Sequence, residues 1–265
     1  MPSFSTGDVD ISYYDSGNGN ALLFLHSFDQ SKLMWSEQLS YFRSKGYRVI
    51  AMDLRGHGQS GFKRENHNID QFARDAISLL KHLGVDKVCI IGASLGGYVA
   101  LRIWKQDSSL VSGLVLSGTK ADPDSEDIKE RRRSQIRFIE ENGLGKFVEN
   151  TSRRLAEKTR EDRPWVMDCM KLLSLDITED AVKETLQAMI DKPDDIELLT
   201  TINVPTLIMV GREDAFTPLP LSEKMNAEIK GSELKIFENA AHFCSYDIPE
   251  LYSETISGFL KKNSL

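Results

Sequence analysis

The stretch from Cys89 to Leu101 reads CIIGASLGGYVAL, and the fold can be worked out from it. An apolar run ends at Gly92, a single serine follows at position 94, and two glycines then lead into a second apolar run. A short continuous apolar run is typical of a strand buried on both faces. The stretch therefore predicts a buried strand, a tight corner at Ser94 and an apolar helix that starts immediately afterwards.

The same alternation of strand and helix continues on both sides of this stretch. Apolar or alternating runs predict further strands at residues 9–14, 21–25, 47–52, 110–116, 204–211 and 233–238. Helical spacing of apolar residues predicts helices at residues 35–45, 69–83 and 249–260. Strands that alternate with helices in this way favour an α/β fold with a mainly parallel sheet covered on both faces.

The rhythm breaks in the second half of the chain. Residues 120–199 contain no convincing strand, and their apolar stripes predict about four helices. We therefore expect residues 1–119 and 200–265 to form the sheet domain and residues 120–199 to form an inserted helical cap. Insertions at the carboxyl edge of a parallel sheet tend to cover a ligand crevice. Because this stretch is rich in Leu, Met and Phe, we expect an apolar pocket beneath it.

Charge and composition exclude several classes of partner. The chain of 265 residues has a formal net charge of −7, so nucleic acid is not an expected partner. The most basic run, KERRRSQIR from Lys129 to Arg137, is flanked by acidic residues and is interpreted as a solvated helix face. No apolar stretch approaches the length of a membrane span, and the first residues do not resemble a secretory signal.

Three cysteines, far apart in sequence, show neither a disulfide framework nor a metal-binding spacing. We therefore expect a cytoplasmic protein that uses no metal and no cofactor, and that is a monomer or a homodimer.

Ser94 is the first candidate for chemistry. The sequence GASLG fits the pattern G-x-S-x-G, and the strand before it and the helix after it are the context that the pattern requires. A tight corner forces the serine backbone into an unfavourable conformation, while Gly92 and Gly96 let the neighbouring elements approach. The hydroxyl group then stands clear of the sheet at a helix N-terminus, so Ser94 is predicted to be a nucleophile.

A serine hydroxyl needs a base, and the chain has five histidines. His67 and His82 lie in polar sequence and are expected to be exposed, while His26 and His57 follow early strands. Only His242, which follows the last strand, comes late enough for the chain order serine, acid, histidine. His242 is therefore predicted to be the base.

The acid should follow a strand between the serine and the histidine. The segment GREDAFTP, Gly211–Pro218, offers Glu213 and Asp214. We choose Asp214, since a short side chain in a turn is held more rigidly. Its expected role is to accept the Nδ1 hydrogen of the histidine and to stabilise the imidazolium. Asp247 is expected to serve the start of the last helix instead.

Acyl transfer also needs donors for the negative oxygen that develops during attack. The backbone N–H of Leu95, the residue after the nucleophile, can supply one donor. The second is expected from the loop that follows the strand at residues 21–25, and we assign it to the N–H of Phe28.

Together these motifs resemble the α/β-hydrolase superfamily. FLHSF, DLRGHGQS, GASLGG, GREDAFTP and AAHF occur in the family's order and spacing over nearly the whole chain. Within the superfamily the chain looks most like compact bacterial carboxylesterases, with 3-oxoadipate enol-lactonases and cofactor-free perhydrolases close by. The resemblance implies an eight-stranded sheet with a helical cap after the sixth strand. It also implies that Ser94, Asp214 and His242 form a catalytic triad, with Phe28 and Leu95 in the oxyanion hole.

Three positions depart from the family pattern. Ser27 stands where the family usually has glycine, so the oxyanion loop is expected to differ in shape. Ala93 precedes the serine where a bulkier or polar residue is common, and Cys244 is a candidate for lining the pocket. The serine itself argues against haloalkane dehalogenases and epoxide hydrolases, whose nucleophile is aspartate.

The sequence thus predicts a serine hydrolase of small carboxylic esters, with a small-molecule ester as its only expected partner. Three alternatives remain open at this point: a lactonase, such as an enol-lactonase, a hydrolase of C–C bonds, and a ligand receptor that turns over slowly.

Overall fold

An eight-stranded sheet lies at the centre of the computed structural model, which describes residues 1–149 and 154–265. In chain order the strands are β1 Ser3–Ser5, β2 Asp10–Ser16, β3 Ala21–Leu25, β4 Arg48–Met52, β5 Val88–Ala93, β6 Val111–Ser117, β7 Thr206–Gly211 and β8 Glu233–Phe237. Their order across the sheet is β1-β2-β4-β3-β5-β6-β7-β8. Neighbours from β4 to β8 are parallel, and β2 is antiparallel to both β1 and β4. The predicted mainly parallel sheet is confirmed.

Helices connect most of the strands. In the described residues they are α1 Ser36–Ser44, α2 Ile69–His82, α3 Leu95–Asp107, α4 Glu126–Asn142, α5 Leu144–Glu149, α6 Glu157–Asp162, α7 Trp165–Leu175, α8 Glu179–Ile190, α9 Ile196–Leu199, α10 Leu219–Glu228, α11 Cys244–Asp247 and α12 Pro249–Lys262. None of these helices is both long enough and apolar enough to cross a membrane.

The sheet is buried because helices pack on both of its faces. The strand β5 shows how the apolar run serves both: Val88 and Ile90 belong to the cluster with α2 and α3, whereas Cys89 and Ile91 belong to the cluster with α1 and α12. Successive residues of a strand point to opposite faces, so a strand covered on both sides needs apolar residues throughout.

Six helices, α4 to α9, lie between β6 and β7 in the described part of the chain, where the sequence predicts about four. Three of the six are short: α5 and α6 have 6 residues each and α9 has 4. Helices of one or two turns carry too few apolar repeats to show a helical period. The grouping of residues 120–199 as a separate cap stays a prediction.

The corner between β5 and α3 has the strained geometry that the sequence predicts. Ser94 has φ 51° and ψ −112°, which is costly for a residue with a side chain. A Cβ atom at Gly96 would lie far inside van der Waals contact with the Leu25 carbonyl oxygen at the end of β3. One at Gly92 would meet the Gly96 carbonyl in the same way. Glycine is therefore required at both positions by close packing of backbone against backbone.

His67 was expected to be exposed, and that expectation is wrong, since the residue is only 7% exposed. Its Nε2 atom lies 2.8 Å from the Thr185 hydroxyl oxygen of α8, and its ring contacts those of Phe62 and Phe72. The polar sequence around it gave no sign that a helix more than a hundred residues later would cover it. Burial lowers the pKa of His67 to about 3, so the ring is neutral.

Gly96→Ala should destabilise the fold, because the added methyl group must push β3 and α3 apart. We expect a loss of about 1–3 kcal/mol in the free energy of unfolding, measured by urea denaturation. The matched control is Gly258→Ala in α12, where an added Cβ meets nothing within 4 Å. That change should raise stability by about 0.5–1 kcal/mol, since alanine favours a helix. Equal effects of the two substitutions would contradict the packing argument.

His67 should also make stability depend on pH. Its folded pKa of about 3 lies below the unfolded value near 6.5, so the unfolded chain takes up a proton first as the pH falls. Stability is therefore complete above about pH 6.5 and declines towards pH 3, by at most about 1.4 kcal/mol per pH unit for one proton. His67→Gln should flatten this slope in urea titrations, while His82→Gln at an exposed position should not. An unchanged slope in His67→Gln would refute the assignment.

Candidate active site

The structure brings together the three side chains that the sequence predicts as nucleophile, base and acid. The Ser94 hydroxyl oxygen lies 2.9 Å from His242 Nε2, and His242 Nδ1 lies 2.9 Å from Asp214 Oδ2. Asp214 follows β7 and His242 follows β8, so both loops leave the same edge of the sheet as the corner at Ser94. This chain of hydrogen bonds can accept the serine proton and stabilise the resulting imidazolium.

The carboxylate of Asp214 is fixed from several sides. Its Oδ1 accepts the backbone N–H groups of Phe216 and Thr217 at 2.8 and 2.9 Å, and its Oδ2 accepts the Thr217 hydroxyl at 2.7 Å. Burial acts to raise the pKa of Asp214, but His242 and these donors outweigh it and hold the pKa below its ordinary value. The group stays ionised. Its neighbour Glu213 is exposed, and its carboxylate accepts the Glu157 N–H at 3.2 Å.

Two backbone N–H groups near the corner at Ser94 have no acceptor in the part of the chain that the structure describes. Within residues 1–149 and 154–265, neither Phe28 nor Leu95 donates its amide hydrogen to another group. Leu95 is the first residue of α3, where the helix dipole favours negative charge. The two amides are therefore available to a developing oxyanion.

The loop of residues 26–29, which carries the predicted oxyanion donor Phe28, is held on one side by Ser27. The Ser27 hydroxyl donates to the Ala93 carbonyl at 3.3 Å, which ties the loop to the end of β5. His26 holds the loop from the other side, with Nδ1 2.8 Å from the Ser27 carbonyl oxygen and Nε2 accepting the Leu54 N–H. Burial lowers the pKa of His26 to about 3, so it serves as a neutral structural group.

The pocket above Ser94 is less apolar than the sequence predicts. Its lining residues are Phe28, Ser94, Tyr98, Lys120, Asp124, Ile128, Arg131, Arg132, Gln135, Arg154, Met189, Phe216, Thr217, His242 and Phe243. The expectation of an apolar pocket is wrong in part, because four cationic side chains share the wall with the apolar ones. Amphipathic spacing identifies which residues of a helix are polar, but not what the polar face is turned towards.

Arg131 and Arg132 correct a second expectation. Both come from the basic run that was interpreted as a solvated helix face, yet both line the pocket. Arg132 is held at 2.5 Å by Asp124, in the loop that precedes α4. No sequence pattern pointed to Asp124, although the loop follows the carboxyl end of β6, where ligand contacts are common in α/β sheets.

Arg154 is a further residue of the pocket that sequence analysis missed. It forms an ion pair with the buried Asp29 of the oxyanion loop, and its guanidinium group lies over the rings of Phe28 and Phe243. No sequence pattern pointed to Arg154.

Asp247 and Cys244 differ from their expected roles. Asp247 does not serve the last helix: its carboxylate accepts the N–H groups of Ala241 and Ala156 at 2.8 and 3.0 Å. It therefore fixes the residue that precedes His242.

Cys244 does not line the pocket. It is buried in α11, its thiol donates to the Ala241 carbonyl, and burial raises its pKa well above the ordinary value.

Known proteins resemble this chain over almost its whole length. A sequence model of the alpha/beta hydrolase fold matches residues 20–248. The 3-oxoadipate enol-lactonase 1 of Acinetobacter baylyi is 27% identical, with 92% of this chain and 90% of the relative covered. A non-heme haloperoxidase of Rhodococcus erythropolis is 28% identical, with 97% and 98% covered.

Among solved structures, a malate-bound thermophilic esterase from Thermogutta terrifontis superposes with a TM-score of 0.91. It is 30% identical, and the superposition covers 98% of this chain and 96% of the esterase. The residues that match the sequence model, 20–248, include β3, the corner at Ser94 and the loops that carry Asp214 and His242. By sequence and by fold, the protein belongs to the α/β hydrolase family.

Proposed function

We propose that the protein hydrolyses small carboxylic esters through an acyl-enzyme on Ser94. The observation that carries the proposal is the continuous hydrogen-bonded chain from the Ser94 hydroxyl through His242 to Asp214, with 2.9 Å at both links. The similarity to the esterase from Thermogutta terrifontis supports an ester as the substrate.

In the first half of the reaction, His242 Nε2 takes the Ser94 proton while the serine oxygen attacks the ester carbonyl carbon. The carbonyl oxygen becomes an oxyanion and accepts hydrogen bonds from the N–H groups of Phe28 and Leu95. One such donor typically contributes about 3 kcal/mol of transition-state stabilisation. The alcohol oxygen leaves with the proton from His242, and the acyl group stays on Ser94.

In the second half, a water molecule gives a proton to His242 and attacks the acyl carbon. The second tetrahedral intermediate collapses, the acid is released, and Ser94 regains its proton from His242. Asp214 stays ionised in both halves and stabilises each imidazolium that forms. Ser94, His242 and Asp214 are thus the proposed catalytic residues, and no cofactor enters any step.

A lactone is the second candidate substrate, because the enol-lactonase of Acinetobacter baylyi is similar over most of both chains. The chemistry would be the same, except that the leaving oxygen remains joined to the acyl group. A panel of esters and lactones of matched size, compared by kcat/KM, separates the two substrate classes.

Ser94→Ala and His242→Ala should each abolish hydrolysis of p-nitrophenyl acetate and butyrate, and Asp214→Asn should lower kcat by about 10,000-fold. Asp214→Asn keeps the size of the side chain but removes the charge that orients His242. Glu213→Gln is the matched control, since the exposed Glu213 side chain bonds to the Glu157 N–H instead of the histidine, and it should retain activity. Substantial activity in Ser94→Ala, or labelling of another residue by a fluorophosphonate probe, would contradict the proposal.

Cysteine chemistry should leave catalysis untouched. Burial raises the pKa of Cys89 to about 12 and also raises that of Cys244, whereas Cys169 is exposed. Iodoacetamide should therefore alkylate Cys169 alone in the folded protein, as read by mass spectrometry, without loss of esterase activity. In urea all three cysteines should react. Rapid alkylation of Cys244 in the folded state, accompanied by inactivation, would make it a rival nucleophile.

A further inference from the structure

The basic run at the start of α4 reaches the same pocket as the proposed nucleophile. Arg131 and Arg132 come from this helix, and Lys120 comes from the loop after β6. All three line the pocket together with Ser94 and His242. The whole chain carries a net charge of −7, so a cluster of cations at this one pocket is a local feature and does not follow from composition.

One carboxylate is shared by two of these cations. Asp124 lies 2.7 Å from the Lys120 ammonium nitrogen and 2.5 Å from Arg132 Nε, with side-chain exposures of 1%, 4% and 15%. Burial acts to raise the pKa of Asp124, but the two cations outweigh it and hold the pKa below its ordinary value. The carboxylate is therefore ionised, and the buried trio keeps one net positive charge.

Arg131 adds a second positive charge to the wall. It is exposed towards the pocket, and within residues 1–149 and 154–265 it makes no ion pair. Of the other charges near the pocket, Arg154 is paired with Asp29. The Asp214 carboxylate is hydrogen-bonded to the neutral His242 and keeps its negative charge.

Lys120, Arg131, Arg132 and Arg154 face the carboxylates of Asp124, Asp29 and Asp214, which leaves one cation in excess at the pocket. An excess charge that is partly buried is costly unless an opposite charge approaches it, and the structural ion pairs alone do not account for it. Arginine suits a carboxylate partner because its planar fork can donate two parallel hydrogen bonds. Only Nε of Arg132 is engaged by Asp124, which leaves other N–H donors on the same group.

We propose that the substrate carries a carboxylate away from its reacting ester, and that Arg131 and Arg132 bind this carboxylate while Lys120 adds to the positive potential. The inference rests on the proposed esterase function and narrows its substrate class to anionic esters, such as the half-esters of dicarboxylic acids. Ile128 and Met189 in the same wall offer apolar contact for the chain that joins the two ends of such a substrate.

The test compares monomethyl glutarate with its isostere, in which an isopropyl group replaces the carboxylate, by pH-stat measurement of kcat/KM. The acetate ester of hydroxybutanoate and its isopropyl isostere form a second pair, with the carboxylate on the alcohol side. Wild-type protein should prefer the anionic member of at least one pair by about 10-fold or more. The preference should decline as salt is added, since screening weakens attraction between charges near the surface.

Arg131→Gln should reduce this preference by about 10-fold, and Arg131→Glu should reduce it further. Arg132→Lys, which keeps a charge beside Asp124 but loses the planar fork, should also reduce it. Arg133→Gln is the matched control, because Arg133 lies on the same helix but is exposed and paired with Glu130. That variant should keep the wild-type preference.

The proposal is overturned if wild-type protein prefers neither anionic ester, or if Arg131→Gln and Arg133→Gln show the same preference. Failure of the esterase function would look different: Ser94→Ala would then hydrolyse the neutral isosteres as well as wild type does. In that case anion binding is tested without catalysis, by measuring the increase in Tm when glutarate is added. Wild type should be stabilised and Arg131→Gln should not, and no stabilisation of wild type would reject the site.

Discussion

Close contact between Gly96 and the end of β3 is the constraint on which the rest of the site depends. It brings the first turn of α3 against the Leu25 carbonyl, and the chain can reach that position only because Ser94 adopts a positive φ. Phe28 follows Leu25 by three residues and Leu95 directly follows the serine, so the same contact joins the two segments that carry the amides of Phe28 and Leu95. The strain at Ser94, of order 1–3 kcal/mol, is a cost that this packing offsets.

The residues around this contact were accessible to sequence analysis for a topological reason. Parallel strands leave the sheet at one edge, so residues that directly follow buried apolar runs must gather there. Ser94 and Asp214 follow such runs closely, and His242 follows β8, the last strand; chain order was enough to choose His242 from five histidines. The strands from β2 to β8 were predictable from their apolar runs, and the structure confirms them. The short strand β1 and the short helices between β6 and β7 were not.

What the sequence could not show depends on contacts between distant segments. His67 looks exposed in its polar surroundings, and only the path of α8 reveals that Thr185 covers it. Asp247 precedes a helix, yet its carboxylate turns back to the N–H of Ala241. The basic face of α4 has the same sequence pattern as a solvated helix face. The spacing of apolar residues shows which face of a helix packs on the core, but not what the opposite face contacts. Loops without a period, such as the one that carries Asp124, give no signal at all.

The cations of the pocket wall, Lys120, Arg131 and Arg132, affect substrate binding. The proposed catalytic chain from Ser94 through His242 to Asp214 affects the barrier to reaction. Attack by Ser94 turns a neutral serine, a neutral histidine and a neutral carbonyl into an imidazolium and an oxyanion, whose charges sum to zero. A positive potential stabilises the oxyanion but disfavours the nearby imidazolium, so its net effect on this charge separation is small. A carboxylate elsewhere on the substrate carries a full negative charge from the moment of binding, and nothing cancels its attraction to the wall. The cations of α4 are therefore suited to substrate selection, while in the proposed mechanism the barrier to acyl transfer is governed by Asp214 and the two backbone amides.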